Sequence, residues 1–258
     1  MDASAQNFIT ATGIANTTIE NAIDALCIYL KKRGIWDKMI SIYPMVGGTA
    51  DTHKYNLKNP SNTDEAKRLT FSGGWTHSAN GALPNGSTGY ADTHVDLFLD
   101  VPPYNLHMSY YSRTASIGAD DYVILGVGNP PMYIDLFYTN RIYVAVGTAP
   151  DYTLVVNPAS GFTGLLGFNS INPLGYKVLR GTEVMGENTQ NRYVYFPNQD
   201  PSNPRTVYLG AFNNNNTANY FAPIECAFSS IGYGLTDNEW KMLNNAVNTF
   251  QTSLSRNI

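Results

Sequence analysis

From about residue 68 to residue 232 the chain is a succession of short runs rich in Val, Ile, Tyr, Phe and Thr, punctuated by Asn, Gly, Pro and Asp. Runs of this length and composition suit antiparallel strands. Eleven are read as strands: 68–72, 89–93, 106–113, 122–127, 132–137, 141–146, 161–168, 176–179, 191–196, 206–211 and 224–231. Arg192-Tyr193-Val194-Tyr195-Phe196 and Thr206-Val207-Tyr208-Leu209 alternate with the period of two that a half-buried strand requires. No long helix interrupts the series. Parallel neighbours need crossovers of a dozen or more residues, so the pattern disfavours a parallel βαβ architecture and an antiparallel β-sandwich is expected.

Helical patterning is confined to the two ends. Thr17-Thr18-Ile19-Glu20 has capping-box spacing, and Ile19, Ala22, Ile23, Leu26 and Leu30 fall on one face of a helix over 17–33 that Gly34 stops. A short amphipathic piece, Ile35 to Ile40, follows before Pro44 and Gly47-Gly48 break regularity. Thr236-Asp237-Asn238-Glu239 repeats the capping-box spacing with Leu235 as its staple, and Trp240, Leu243, Val247, Phe250 and Leu254 then form a stripe that must be buried. Burying it is worth on the order of 10 kcal/mol before entropy is subtracted. It can face the sandwich, the first helix or another subunit. The reading divides the chain into a helical and extended segment at 1–60, a possible attachment region, and a sandwich at 61–258 closed by a helix at 236–256.

Of the 258 residues 43% are hydrophobic and only 14% charged, and the formal charge is −4. Nucleic-acid binders cluster Lys and Arg on one face, and no such cluster occurs, so nucleic acid is not an expected partner. Lys31-Lys32-Arg33 ends a helix, where cations face the negative end of its dipole. Cys27 and Cys226 lack a metal-like neighbour and are read as buried, reduced thiols, with a single long-range disulfide as the alternative. The start, MDASAQNFITATGI, lacks the features of a signal peptide, and no stretch approaches a membrane span; synthesis and folding in cytoplasm, without a membrane partner, are expected.

The segment AFSSIGYGLTDNEWKMLNNAVNTFQTSLSR resembles the closing strand and helix of concanavalin A-like, laminin-G-like domains in bacteriophage structural proteins. Its marks are GLT..E, where the last strand passes into the helix, and FQ..L.R at the helix end. FITATGI, GIWDKMISIYPMVGGTADTHKYNLKNP and LTFSGGWTHSANGALPNGSTGYADT are similar to the opening of proteins from phages of Bacteroidetes, including crAss-like phages. The resemblance implies a jelly-roll sandwich carried on a virion as a fibre, tail or head-decoration module. It also implies other virion proteins as partners, host-surface or mucosal glycans as ligands, and a homo-oligomer, trimeric as phage fibres commonly are. It implies further that ALPNGSTGYADT is a hairpin with a tight Asn-Gly turn and an inward Tyr90. No acidic cluster matches the calcium site of some laminin-G domains, and no cofactor or metal is expected.

Chemical signatures are sparse. Asp92 and Asp96 share a strand face four residues apart, as the catalytic carboxylates of a concanavalin-like glucanase do, but the Glu-x-Asp-x-Glu pattern of those enzymes is absent. His53, His77, His94 and His107 lack zinc-signature spacing, and GVGNPP at 126–131 lacks the Lys and following helix of a phosphate loop. Eighteen Tyr and three Trp, with abundant Asn, are the groups that stack on sugars and bond their hydroxyls. Trp75, Tyr110, Tyr111 and Tyr220 are the candidate ligand contacts, one ring of the Tyr110-Tyr111 pair being expected inside and the other outside. The expectation is a non-enzymatic glycan-binding virion protein, against a purely structural adaptor or a glycan-cleaving enzyme.

Overall fold

The computed structural model describes residues 1–97, 99–102, 104–118, 120–128, 131–137, 141–146, 153–157, 161–173, 175–189 and 205–258. Two antiparallel sheets face one another. The first holds β1 (Met39–Tyr43), β3 (Trp75–Ser78), β4 (Gly81–Pro84), β6 (Leu106–Ser112), β11 (Gly164–Asn172), β12 (Gly175–Arg180), β13 (Glu183–Asn188) and β17 (Cys226–Gly232). Its order is β13-β12-β11-β6-β17-β4-β3, with β1 also on β17. The second holds β2 (Thr70–Ser72), β5 (Tyr90–Asp96), β7 (Asp121–Val127), β8 (Met132–Phe137), β9 (Arg141–Val146), β10 (Thr153–Val156) and β14 (Thr206–Leu209) in the order β10-β9-β8-β7-β14-β5-β2. The hairpin β15 (Phe212–Asn214) and β16 (Thr217–Asn219) joins it through a parallel pairing of β15 with β7. The fold is thus the expected sandwich of jelly-roll type with helices at both ends. The run at 191–196 lies outside the described residues.

The intersheet core is built from inward positions such as Val95, Met108, Tyr110, Ile134, Val144, Phe168 and Val207. A second core lies on the outer face of the first sheet, under α1 (Ala3–Thr12), α2 (Thr17–Lys32) and α4 (Asp237–Ser253); α3 (Ala50–His53) is a single turn after β1. There Phe8, Ile23, Leu26 and Leu30 meet Trp240, Leu243, Val247 and Phe250 over Tyr111, Leu165 and Phe228. The terminal stripe therefore packs against the sandwich and the N-terminal helices of its own chain. α4 begins as read, with both halves of the Thr236/Glu239 capping box formed. α2 is capped one residue earlier than read: Asn16 holds the extended position and its side chain accepts from Ile19 N. Residues 35–40 are not one amphipathic piece. A 3-10 turn over Trp36–Lys38 gives way to β1, so the 1–60 segment supplies a strand of the sandwich.

The expectation of one exposed ring in Tyr110-Tyr111 is corrected: both are fully buried. Strand β6 is central in a sheet covered on both faces, so Tyr110 enters the intersheet core and donates to Ile224 O at 2.7 Å, while Tyr111 enters the helix-covered core. The hairpin expected at ALPNGSTGYADT is also corrected. β4 pairs with β3 and β17, whereas β5 pairs with β14 and β2 in the other sheet. The true hairpin is β3–β4, and residues 85–89 carry the chain across the sandwich. Asn85 organises that crossing by accepting from Ser87, Thr88 and Gly89 N at 3.0, 2.9 and 3.0 Å. The other crossing, Gly73-Gly74, lies against it; Gly73 has φ 70°, and a Cβ there would strike the Thr88 carbonyl. Tyr90, expected inward, sits on the outer face of β5 and stacks on Tyr208 at 4.7 Å.

Cys27 and Cys226 are buried, unpaired thiols, and burial pushes Cys27 up to about 12 and Cys226 higher still. No helix among the described residues is long and apolar enough to cross a membrane.

Candidate functional site

The outer face of the second sheet carries a concave aromatic site. Alternation along β8 sends Ile134 and Leu136 into the core and leaves Tyr133 and Asp135 outside; on β9 it leaves Tyr143 outside between Ile142 and Val144. A bulge in β7, where Val123 opposes Asp135 and Leu125 opposes Ile134, keeps Asp121 and Val123 outward while Ile124 and Leu125 both point inward. Hairpin β15–β16 forms the second wall. Its turn residues Asn215 and Asn216 have φ 50° and 66°, the left-handed pair that a two-residue hairpin needs and that Asn tolerates. Asn213 fixes the hairpin by donating to Thr206 O at 2.8 Å and accepting from Asn216 N at 2.8 Å. The four consecutive asparagines are thus a built hairpin.

These elements enclose a cleft of about 440 Å³ lined by Asp121, Val123, Pro131, Tyr133, Asp135, Tyr143, Phe212 and Tyr220. That volume lies within the range of small-molecule sites. The Tyr133 and Tyr143 rings are nearly parallel, 14° apart in plane with centroids at 6.1 Å, and Phe212 meets Tyr133 edge-on at 5.3 Å. Gly126 makes room for this arrangement, since a Cβ there would lie 2.9 Å from Tyr133 Cβ and 3.0 Å from Phe212 Cδ2. Tyr220 is 56% exposed and stands at φ 54°, a left-handed conformation that costs an aromatic residue on the order of 1–3 kcal/mol. Its carbonyl accepts from Val123 N at 3.0 Å, which ties this strained residue to β7 at the rim of the cleft.

Asp135 is 8% exposed. Its one hydrogen bond among the described residues comes from Tyr122 N at 2.9 Å. Burial first and the nearby Asp121 carboxylate second push it up to about 7. Burial, with Asp120 adding to it, also raises Asp121. A carboxylate held so far above its unfolded value lowers stability wherever it is ionised. Asp135→Asn keeps the acceptor for Tyr122 N and is expected to stabilise the fold at pH 8 by roughly 2–4 kcal/mol, with the difference vanishing below about pH 4. Urea denaturation at both pH values measures it.

Of the residues named from sequence, only Tyr220 lines this cleft. Trp75 is half-buried elsewhere: its indole N–H donates to Ser72 O and Tyr90 O at 3.0 and 3.2 Å, and its ring lies near-parallel to His77, so it pins the inter-sheet crossings. Tyr110 and Tyr111 reach no surface. Asp92 accepts from His94 N at 2.8 Å and Asp96 from Arg205 N at 3.3 Å, and neither lines the cleft. His53 and His77 meet at 3.0 Å between their Nδ1 atoms, which their sequence spacing gave no reason to expect. Among the described residues no group of three or more His, Cys, Asp or Glu could hold a metal ion. Tyr133, Tyr143, Phe212, Asp121 and Asp135 were missed. The available signal was the outward i, i+2 pair Tyr133/Asp135, meaningful only once the neighbouring strands are in register.

No family model and no curated protein matches the chain. Solved structures do match. One, described as cell entry of botulinum neurotoxin type C dependent upon interaction with two ganglioside molecules, aligns with TM-score 0.55 and 12% identity over 84% of this chain and 53% of that one. A mutant HCR/D structure aligns with TM-score 0.53 and 11% identity over 82% and 52%. The CBM40 of Ruminococcus gnavus IT-sialidase, bound to α2,3 sialyllactose, aligns with TM-score 0.42 and 14% identity over 54% and 80%. The chain spans about half the length of the first two. At these identities the likeness is one of fold.

Proposed function

We propose that the chain is a non-enzymatic carbohydrate-binding protein that takes glycans in the Tyr133–Tyr143–Phe212–Tyr220 cleft and is displayed on a bacteriophage particle as a fibre, tail or head-decoration module. The observation that carries the binding reading is the cleft: four aromatic rings beside two carboxylates give flat faces for pyranose rings and acceptors for their hydroxyls. A fold shared with a neurotoxin chain whose cell entry depends on two gangliosides supports this use. The virion reading rests on the GLT..E and FQ..L.R ends, and peptide mass spectrometry of purified particles tests it.

A glycan array probed with the whole chain tests binding. Tyr133→Ala and Tyr220→Ala are each expected to weaken capture at least tenfold, as loss of a stacking ring worth about 1.4 kcal/mol would. An array on which the unaltered chain captures no glycan overturns the reading. One observation favours cleavage as a second reading: Asp135, near neutrality beside Asp121, has what a general acid needs. The expected result is that captured glycan is recovered intact. Release of a new reducing end, lost in Asp135→Asn, would replace binding with hydrolysis.

A further inference from the structure

We propose, resting on the glycan-binding reading, that the cleft selects uncharged glycans and rejects those carrying a carboxylate or sulfate. The eight lining residues contribute two carboxylates and no Lys, Arg or His. Arg141 shares the sheet face at the start of β9 but is exposed and outside the lining set. Asp135 is more than nine-tenths buried, and among the described residues only one of its oxygens is engaged, by Tyr122 N. The other is left, in a cleft walled by rings, for a donor that the ligand brings.

A neutral sugar supplies such donors. Its hydroxyls give hydrogen bonds to Asp121 and Asp135, and carboxylate acceptors hold O–H groups more strongly than neutral acceptors do. An acidic sugar would place another negative charge beside the Asp121 carboxylate and the Asp135 carboxyl group, with low-dielectric aromatic walls reducing the screening. Its carboxylate would meet no cation among the lining residues, so its desolvation would go uncompensated. The same geometry leaves amino sugars acceptable, since an ammonium would pair with either carboxylate.

The test is an array of matched oligosaccharides, each present as the neutral chain and as its sialylated and sulfated derivatives, read by dissociation constants for the strongest pairs. Neutral members are expected to bind at least tenfold tighter than their acidic derivatives, and Asp121→Asn, checked for folding by its melting curve, is expected to narrow that ratio at least threefold. Equal or tighter binding of the acidic derivatives, abolished by Tyr133→Ala, would overturn the selectivity while leaving the glycan site standing. Capture of no glycan of either kind would overturn both.

Discussion

Arg256→Met is expected to lower the unfolding free energy by roughly 4 kcal/mol or more, a large share of the 5–15 kcal/mol that holds an ordinary domain together. Arg256 is 1% exposed and has no carboxylate partner among the described residues. Its guanidinium donates instead to backbone carbonyls: Met45 and Ala79 from Nη1 at 2.7 and 3.4 Å, Pro44 and Ala227 from Nη2 at 2.7 and 2.9 Å. It lies over the Phe250 ring at 5.4 Å, and its own carbonyl accepts from Arg113. One side chain thus ties the chain's end to the segment after β1, the β3–β4 turn and β17. Burial pulls its pKa down only to about 10, so it is charged at neutral pH. Replacing a buried ion pair by apolar residues is often neutral because both charges leave together. Here the acceptors are backbone and must stay, so the variant takes this donor from the buried Pro44 and Met45 carbonyls at about 1–3 kcal/mol each, while Ala227 O keeps its bond from Gln251. Arg256→Lys should recover only part of the loss, because an ammonium cannot span the acceptors that the planar fork reaches. Urea denaturation decides it; a loss below about 1 kcal/mol would show that water replaces the guanidinium.

The same residues show which parts of the fold were legible. Arg256 and Gln251 belong to the FQ..L.R ending that the sequence displays, and Gln251 donates to the same Ala227 carbonyl at 3.2 Å. The motif could be seen, but its work as a polar clamp could not, because its acceptors are backbone atoms up to 212 residues away. GLT..E was legible in both pattern and mechanism, since a capping box is made of side chains and amides within one turn. Helix α1 was missed: its signals, Asp2 as N-cap and Gly13 in the left-handed C-cap, flank a Thr- and Asn-bearing stretch with only Ala5, Phe8 and Ile9 buried. Strands of three or four residues, such as β3 and β4, are too short to show a period.

Two errors share one cause. A turn signal such as Asn85-Gly86 says that the chain reverses, but not whether it returns in the same sheet or crosses to the facing one. Likewise Tyr110-Tyr111 alternates as any strand does, but whether the second face meets water depends on helices at the opposite ends of the chain. The candidate site was hidden in the same way. Its rings come from β8, β9, β15 and the residue after β16, and only the pairing register brings them together. Tyr220 was found because it follows the conspicuous Asn run.

Between pH 6 and 4.5 the fold is expected to lose stability at about 1.4 kcal/mol per pH unit, and Asp135→Asn is expected to double that slope. His53 and His107 are buried at 1% and 0% exposure. His53 Nε2 accepts from Gly48 N, which leaves Nδ1–H to donate to His77; His107 donates from Nδ1 to Tyr233 O at 2.7 Å and its Nε2 faces Ser230 Oγ. The Gly48 N–H donor requires a neutral His53 ring, whereas at His107 it is complete burial, and not the hydrogen bonds, that disfavours the charged ring. Burial is the largest cause holding His53 down to about 3 and His107 to about 4, against 6.5 for a free histidine. Below pH 6.5 the unfolded chain therefore binds two protons that the folded chain refuses. The stability this represents is complete above 6.5 and is lost as pH falls towards the folded values. Asp135 acts in the opposite sense: with a folded value of about 7 against 3.8, the folded chain holds a proton there that the unfolded chain lacks. From His53, His107 and Asp135, two protons gained by the unfolded state less one held by the folded state leave a net difference of one in the wild type and two in Asp135→Asn; His77, which burial also holds down, steepens both profiles alike. Urea midpoints at half-unit intervals from pH 4.5 to 6 give both slopes. Equal slopes would mean that Asp135 is ionised throughout this range, and a flat wild-type profile would mean that the two histidines take up protons without unfolding the sandwich.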